Sequence, residues 1–303
     1  PTRRSSDLVG DVVFRAAFIG DDGVTNAVTR ALTVVQAKNV LVPSAPDDGL
    51  VILTNTSVAL QLDCEPAGAD GFLSTMWHVR RLRSDGTYGE WMLADYTHPG
   101  ASTVFTPTEG GIYEVRALAS VAAGGTDERF YVWDADEPAD IGLRKRGDCK
   151  AIGVCDEQWQ IDLRNCAKAY LGSTDYAVSG RAQGQYEYSD AGEGSYKCSY
   201  FVAYRIRESG LTLPVQRQRY WRKYPPLAND WADGTEISGW DLLGTTFDPQ
   251  PGYVIAHPAA VNGHCGILDF DGNAVAAGLE NVNRRYRDWQ DGTSKFRRYA
   301  HEN

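Results

Sequence analysis

The sequence predicts a two-part chain, an all-β sandwich followed by an α+β unit, on three observations. Short alternating apolar and polar runs, separated by turn residues, recur from about residue 45 to 135, the pattern of stacked antiparallel sheets. After Tyr131-Val132-Trp133 the composition turns to loop residues. Beyond Asp148 helical spacing appears, and two helices are followed by a strand and a hairpin. At 303 residues, 43% of them hydrophobic, the chain is long enough for two ordinary globular units and too apolar to be disordered.

Residues 1–8 read as a leader or assembly remnant and are set aside from fold reasoning. Val12-Val13-Phe14-Arg15-Ala16 echoes Tyr113-Glu114-Val115-Arg116-Ala117, so residues 9–40 read as the last strands of a truncated sandwich repeat. Val42 to Gly49, with two prolines, reads as a linker. Within 41–136 the clearest strands are Val58 to Cys64, Met76 to Val79, Ser102 to Phe105 and Gly111 to Ala117. Cys64 followed by Trp77, with Gly111-x-Tyr113 further on, resembles the immunoglobulin-like sandwich: its first cysteine, its buried tryptophan and its tyrosine corner. Val115 stands where that family has the second cysteine, so no inter-sheet disulfide is expected. Such tandem sandwiches most simply act as spacers or docking modules.

From Glu157 to Gly172, Trp159, Leu163, Ala167, Tyr170 and Leu171 fall near helical spacing and Gly172 supplies a stop. A glycine-rich loop, 180–194, then leads into Ser195-Tyr196-Lys197-Cys198-Ser199-Tyr200-Phe201-Val202. Residues 198, 201, 202 and 206 share one face of a helix ending at Gly210. Cys198 therefore sits in a first turn, where unsatisfied N–H groups and the helix dipole stabilise a thiolate and can bind an oxyanion. A buried core cysteine would give the same local pattern.

The second block distinguishes the two readings. Pro251-Gly252-Tyr253-Val254-Ile255 reads as a strand, and Asn262-Gly263-His264-Cys265-Gly266-Ile267-Leu268 opens a hairpin that turns at Asp269-x-Asp271-Gly272-Asn273. Alternation puts His264, Gly266 and Leu268 on one face, with Gly266 leaving room beside the imidazole, and turns Cys265 to the other. His264 is thus expected to reach the thiol, and Cys265 is not. An imidazole in hydrogen-bond range lowers a thiol pKa and later protonates a leaving amine.

Taken together, these blocks resemble the NlpC/P60 and CHAP superfamily of papain-like peptidoglycan amidases, over roughly residues 150–290. A Cys-Ser opens a helix running to Gly-x-x-Leu-Pro, here Cys198 to Pro214, and a Pro-Gly-x-Val-Ile strand precedes Gly-His-x-Gly-Ile. The resemblance implies an α+β papain-like catalytic domain, residues 137–303, following the all-β immunoglobulin-like sandwich. It implies hydrolysis of an amide bond in peptidoglycan stem peptides, with Cys198 as nucleophile, His264 as base and no cofactor or metal. Pro225 to Asp233 also resembles versions found in secreted antibacterial toxins, which implies an immunity protein or a secretion apparatus as partner and a secreted or periplasmic location. Tyr253 and Lys197 depart from the family, which often has Asp at both places. The usual third catalytic position falls on Ala276; Asn281 is the expected substitute, with Asn283 the alternative.

The dyad alone implies only acyl transfer at a carbonyl, so a protein protease, deamidase or acyltransferase on the same fold stays open, as does a non-catalytic structural or adhesive module. A formal net charge of −10 argues against nucleic acid as a partner, despite the basic and aromatic run Gln216 to Tyr224. No apolar stretch reaches membrane-spanning length. Six cysteines are too few for a disulfide scaffold, although Cys149, Cys155 and Cys166 cluster and the first two could close a loop. No cysteine pair has zinc-site spacing. His257 and His98 each precede proline and read as loop residues. Because every proposed reacting group lies beyond residue 148, the sandwich is expected to be dispensable for cleavage.

Overall fold

The computed structural model describes residues 10–19, 25–34, 41–45, 49–64, 72–97, 102–122, 130–132, 150–180, 194–212, 214–219, 222–244, 247–259, 263–285 and 293–300. Residues 1–8, His98, Cys149 and most of the 180–194 loop lie outside them, as does the side chain of Cys64. The described chain is mostly β-sheet with few helices.

Strands β1 (Gly10–Ile19) and β2 (Thr25–Val34) pair with each other as a ten-residue antiparallel ladder. The sandwich follows. One of its sheets has the order β3 (Leu41–Ala45), β5 (Val58–Cys64), β8 (Ser102–Phe105). The segment read as a linker therefore contributes a strand. Its Pro43 sits on an edge strand beside a register shift, places where proline is tolerated in a sheet. The facing sheet is built from β4 (Leu50–Leu53), β6 (Phe72–Arg81), β7 (Met92–Thr97), β9 (Gly111–Ala122), β10 (Phe130–Val132) and β11 (Lys150–Cys155). Its order is β4-β11-β9-β6-β7, with β10 beside the far end of β9.

Between the sheets, Val58, Leu60 and Phe105 meet Trp77, Val79, Val115, Ala117, Ile152 and Val154. Trp77 is fully buried, as the sequence predicts. Tyr113 donates its hydroxyl to the Glu109 carbonyl at 2.9 Å, the hydrogen bond that defines a tyrosine corner.

Lys150–Cys155 is where the sandwich ends. The sequence assigns this segment to the second unit, but β11 pairs antiparallel with β9 and parallel with β4, about a hundred residues earlier. Because β6 occupies one side of β9 along its length, β10 and β11 share the other. They lie end to end along that side, and β4 covers the outer side of β11 as the sheet's edge. Ile152 and Val154 are fully buried in the sandwich core.

The chain passes from β11 into helix α1 (Gln158–Lys168), whose N-cap Glu157 receives the Gln160 side chain on its own N–H at 2.8 Å. This helix stops short of the expected Gly172, which instead takes φ +85° in the turns that follow. Helix α2 (Cys198–Glu208) comes next and closes as expected at Gly210, φ +86°. A two-stranded ribbon, β12 (Arg217–Arg219) and β13 (Arg222–Tyr224), occupies the basic and aromatic run. Helix α3 (Ala228–Ala232) leads to β14 (Trp240–Leu242), β15 (Val254–His257), β16 (His264–Leu268), β17 (Ala274–Ala277), β18 (Val282–Arg285) and β19 (Lys295–Tyr299).

These strands make an antiparallel sheet, β14-β19-β15-β16-β17-β18. Helix α2 lies against β16 and β17, and α3 against β15 and β19. The second core joins Phe201, Val202 and Ile206 of α2 to Ile267, Val275 and Phe296 of the sheet. Leu82 and Ile112, fully buried residues of the sandwich region, also belong to it.

Polar contacts continue that seam. The buried Arg164 guanidinium binds Asp269 at 2.6 Å and reaches the Gly49 carbonyl at 3.4 Å. Asp156 accepts from the Gly110 N–H at 3.1 Å and from the Gln250 amide at 2.6 Å. Gly153 of β11 lets the backbones close, since a Cβ there would lie 2.5 Å from the Pro251 ring.

Candidate active site

Cys198 is the first residue of α2, and the first intrahelical bond runs from the Phe201 N–H to the Lys197 carbonyl at 2.9 Å. The amides of Cys198, Ser199 and Tyr200 precede that bond, at the positive end of the helix dipole. Lys197 explains its own departure from the family pattern. Its side chain is buried and its ammonium donates to the carbonyls of Ala177 at 2.7 Å, Ser195 at 3.0 Å and Val178 at 3.3 Å. Three acceptors satisfy a charge that would otherwise be costly to bury, and they tie the preceding loops to the start of α2.

His264 is the first residue of β16. Its neighbour Cys265 meets the Cys198 thiol, as the imidazole does. The thiol is held well below its ordinary pKa, first by a hydrogen bond with the Cys265 side chain. Burial opposes this; the hydrogen bond and charge of His264 and the backbone N–H of Cys265 reinforce it. Cys265 goes the other way: burial, then the adjacent Cys198 charge, push its thiol well above the ordinary value.

That contact corrects the expectation that Cys265 turns away from the nucleophile. Alternation along β16 holds, but Cys198 docks against the strand backbone at the junction of residues 264 and 265, as its bond with the Cys265 N–H shows. A sulfur there meets side chains from both faces. Gly266 also has a different use from the one expected. A Cβ on it would crowd Val275 O, Ala276 and Ala274 of the next strand, so the glycine admits β17.

Two asparagines lie on the strands beyond His264. His264 Nε2 is buried without a hydrogen-bond partner. Asn281 lies in the β17–β18 turn, where its carbonyl accepts the Gly278 N–H at 2.8 Å and its Oδ1 accepts from Asn283 Nδ2 at 3.5 Å. Asn283 pairs with Ala276 across the sheet. The register Ile267↔Val275, continued, sets Gly266 opposite Ala276 and His264 opposite Gly278, so Asn283, Gly278 and His264 share a face. The Asn283 amide lies over Gly278, where a Cβ would come within 2.7 Å of Nδ2. Its Oδ1 is buried and unpartnered.

A second histidine, which the sequence places in a loop, lies in a strand. His257 ends β15 directly opposite His264, on the same face of the sheet. Its Nδ1 lies 2.9 Å from Thr293 Oγ1 and 3.4 Å from Ser294 Oγ. The signal was available in the sequence, because Val254-Ile255-Ala256 can continue its strand through His257 before Pro258 ends it. Asp269 to Asn273 is a hairpin turn, closed from the Asp269 N–H to the Asn273 carbonyl at 2.8 Å. Cys155, Cys166, Cys198 and Cys265 are free thiols.

No family model matches the chain, and no curated protein matches it. Among solved structures it is similar to the CARDB domain of the PF1109 protein from Pyrococcus furiosus, a domain in complex with di-metal ions. The identity is 17% and the TM-score 0.19, over 40% of this chain and 94% of that one.

Proposed function

We propose that the C-terminal unit is a papain-like cysteine amidase or endopeptidase, carried behind an immunoglobulin-like sandwich, that cleaves an amide bond in peptidoglycan stem peptides. The observation that supports this most is a depressed Cys198 thiol at a helix N-terminus, hydrogen-bonded to His264. The thiolate attacks the carbonyl carbon, and amides at the start of α2 bind the developing oxyanion. His264 delivers a proton to the leaving amine. Water then adds to the thioester while His264 takes its proton, and Cys198 leaves as thiolate. The peptidoglycan substrate, the secreted or periplasmic location and an immunity or secretion partner rest on the motif resemblance. Mass spectrometry of purified peptidoglycan incubated with the protein tests the reading. New amine and carboxyl termini in the stem peptides are the expected result; intact peptidoglycan alongside cleavage or deamidation of a protein substrate would move the activity elsewhere.

In this mechanism Asn283 orients the imidazole by accepting from Nε2–H, and Asn281 holds the Asn283 amide in place. An orienting group fixes the tautomer without taking part in bond making. Asn283→Ala is therefore expected to lower kcat by about ten- to a hundred-fold while retaining His264-dependent activity. Asn281→Ala should lose less, since it acts through its neighbour. Steady-state kinetics on soluble muropeptides check the order, and a larger loss in Asn281→Ala would make Asn281 the direct partner.

A further inference from the structure

We propose that His257 is a substrate-binding residue of the same site: its imidazole donates a hydrogen bond to an oxygen of the substrate beside the bond that is cut. This rests on the reading of His264 as the proton carrier, but not on which amide is cleaved.

The surroundings of His264 limit how a substrate approaches it. Helix α2, with Cys198 at its start, lies against β16 and β17. On the β17 flank Gly278 is buried, and the Asn283 amide lies over it. On the β15 flank stands His257, directly opposite His264 and on the same face of the sheet. Cross-strand partners keep their Cβ atoms about 5 Å apart, and both histidines are half-buried. A substrate whose leaving nitrogen reaches His264 therefore passes over His257.

The ring is anchored for that contact. The register Ala256↔Lys295, continued, sets Ser294 opposite His257, so Ser294, His257 and His264 make a polar row across β19, β15 and β16. Lys295 falls on the other face. Thr293 Oγ1 and Ser294 Oγ lie 2.9 and 3.4 Å from His257 Nδ1. A hydroxyl donating to Nδ1 sets the ring's proton on Nε2, the tautomer that offers a donor there. Hydroxyls also accept, so the anchor survives protonation of the ring, and a bond to a carboxylate then becomes charge-assisted. The turn joining the two histidines fixes their spacing. Asn229 of α3 donates to the Ala259 carbonyl at 3.0 Å and accepts from its N–H at 3.1 Å. Gly263 packs so closely on the His257 carbonyl that a Cβ would lie 2.5 Å from it. A bond made equally before and during the reaction lowers KM and leaves kcat unchanged.

The test is steady-state kinetics of the full chain, His257→Ala and His257→Gln, whose amide nitrogen keeps a donor near the place of Nε2. The substrates are soluble muropeptides, native or with their carboxyl groups methylamidated, and casein in parallel. His257→Ala is expected to raise KM about ten-fold with kcat changed by less than about two-fold, and His257→Gln to recover most of the loss. If His257→Ala does not melt cooperatively, His257→Leu takes its place against glutamine. Where the acceptor is a carboxylate, methylamidation raises KM for the unmodified chain but not for His257→Ala; where it is a peptide carbonyl, the ratio between the two chains stays the same. A fall in kcat at constant KM, or glutamine no better than alanine, would overturn the inference. A His257-dependent KM on casein in a chain that leaves muropeptides intact retains it and removes the peptidoglycan reading. Muropeptide cleavage with KM unchanged in His257→Ala does the reverse, and turnover of neither substrate removes both.

Discussion

Cys198→Ala is expected to abolish release of peptidoglycan fragments, by about ten-thousand-fold or more, because it removes the sulfur that forms the proposed thioester. Its stability should change by no more than about 1 kcal/mol, since a small side chain is shortened by one atom. Circular dichroism melting separates the two effects. Cys265→Ala should keep turnover, with its pH profile displaced to higher pH. The sign follows from the cause: removing a donor to the thiolate raises the Cys198 pKa, so the active fraction is lost first on the acid side. Loss of turnover in Cys265→Ala together with retention in Cys198→Ala would exchange their roles.

The elements that carry this site were legible where local pattern decides structure. Phe201, Val202 and Ile206 fall on the buried face of α2 because helical period fixes that face. The Asp-Gly turn closes its hairpin because glycine admits the required backbone. Tyr113 and Trp77 behave as their motif implies, since both are set by strand alternation within one sheet. Three features were not legible. The parallel pairing of β11 with β4 joins segments about a hundred residues apart, and Ala151-Ile152-Gly153-Val154 is too short to announce its partner. The Cys265 contact depends on where the helix meets the strand, which alternation does not determine. Lys197 looked like a simple loss of an acid, because its three acceptors are backbone carbonyls that no sequence pattern displays.

A fragment beginning at Asp140 is expected to lose both its cooperative melt and its turnover, against the expectation from sequence that the sandwich is dispensable. Such a fragment keeps β11 but removes β4 and β9, leaving both of its edges unpaired. Ile152 and Val154 then lose the sandwich core that buries them. Beginning at Asp156 instead avoids that exposed strand but not the rest of the seam. Leu82 and Ile112 leave the core that contains Phe201 and Trp159, and each fully buried aliphatic side chain contributes about 1.5–3 kcal/mol. Arg164 loses the Gly49 carbonyl and Asp156 loses the Gly110 N–H, at about 1 kcal/mol for each bond. Against a total stability of about 5–15 kcal/mol, those losses are enough to unfold most of the population. Differential scanning calorimetry of the full chain should accordingly show one transition spanning sandwich and C-terminal unit. Two separate transitions, or a fragment from Asp156 that melts and cuts like the full chain, would mean that the shared core contributes little to coupling the two.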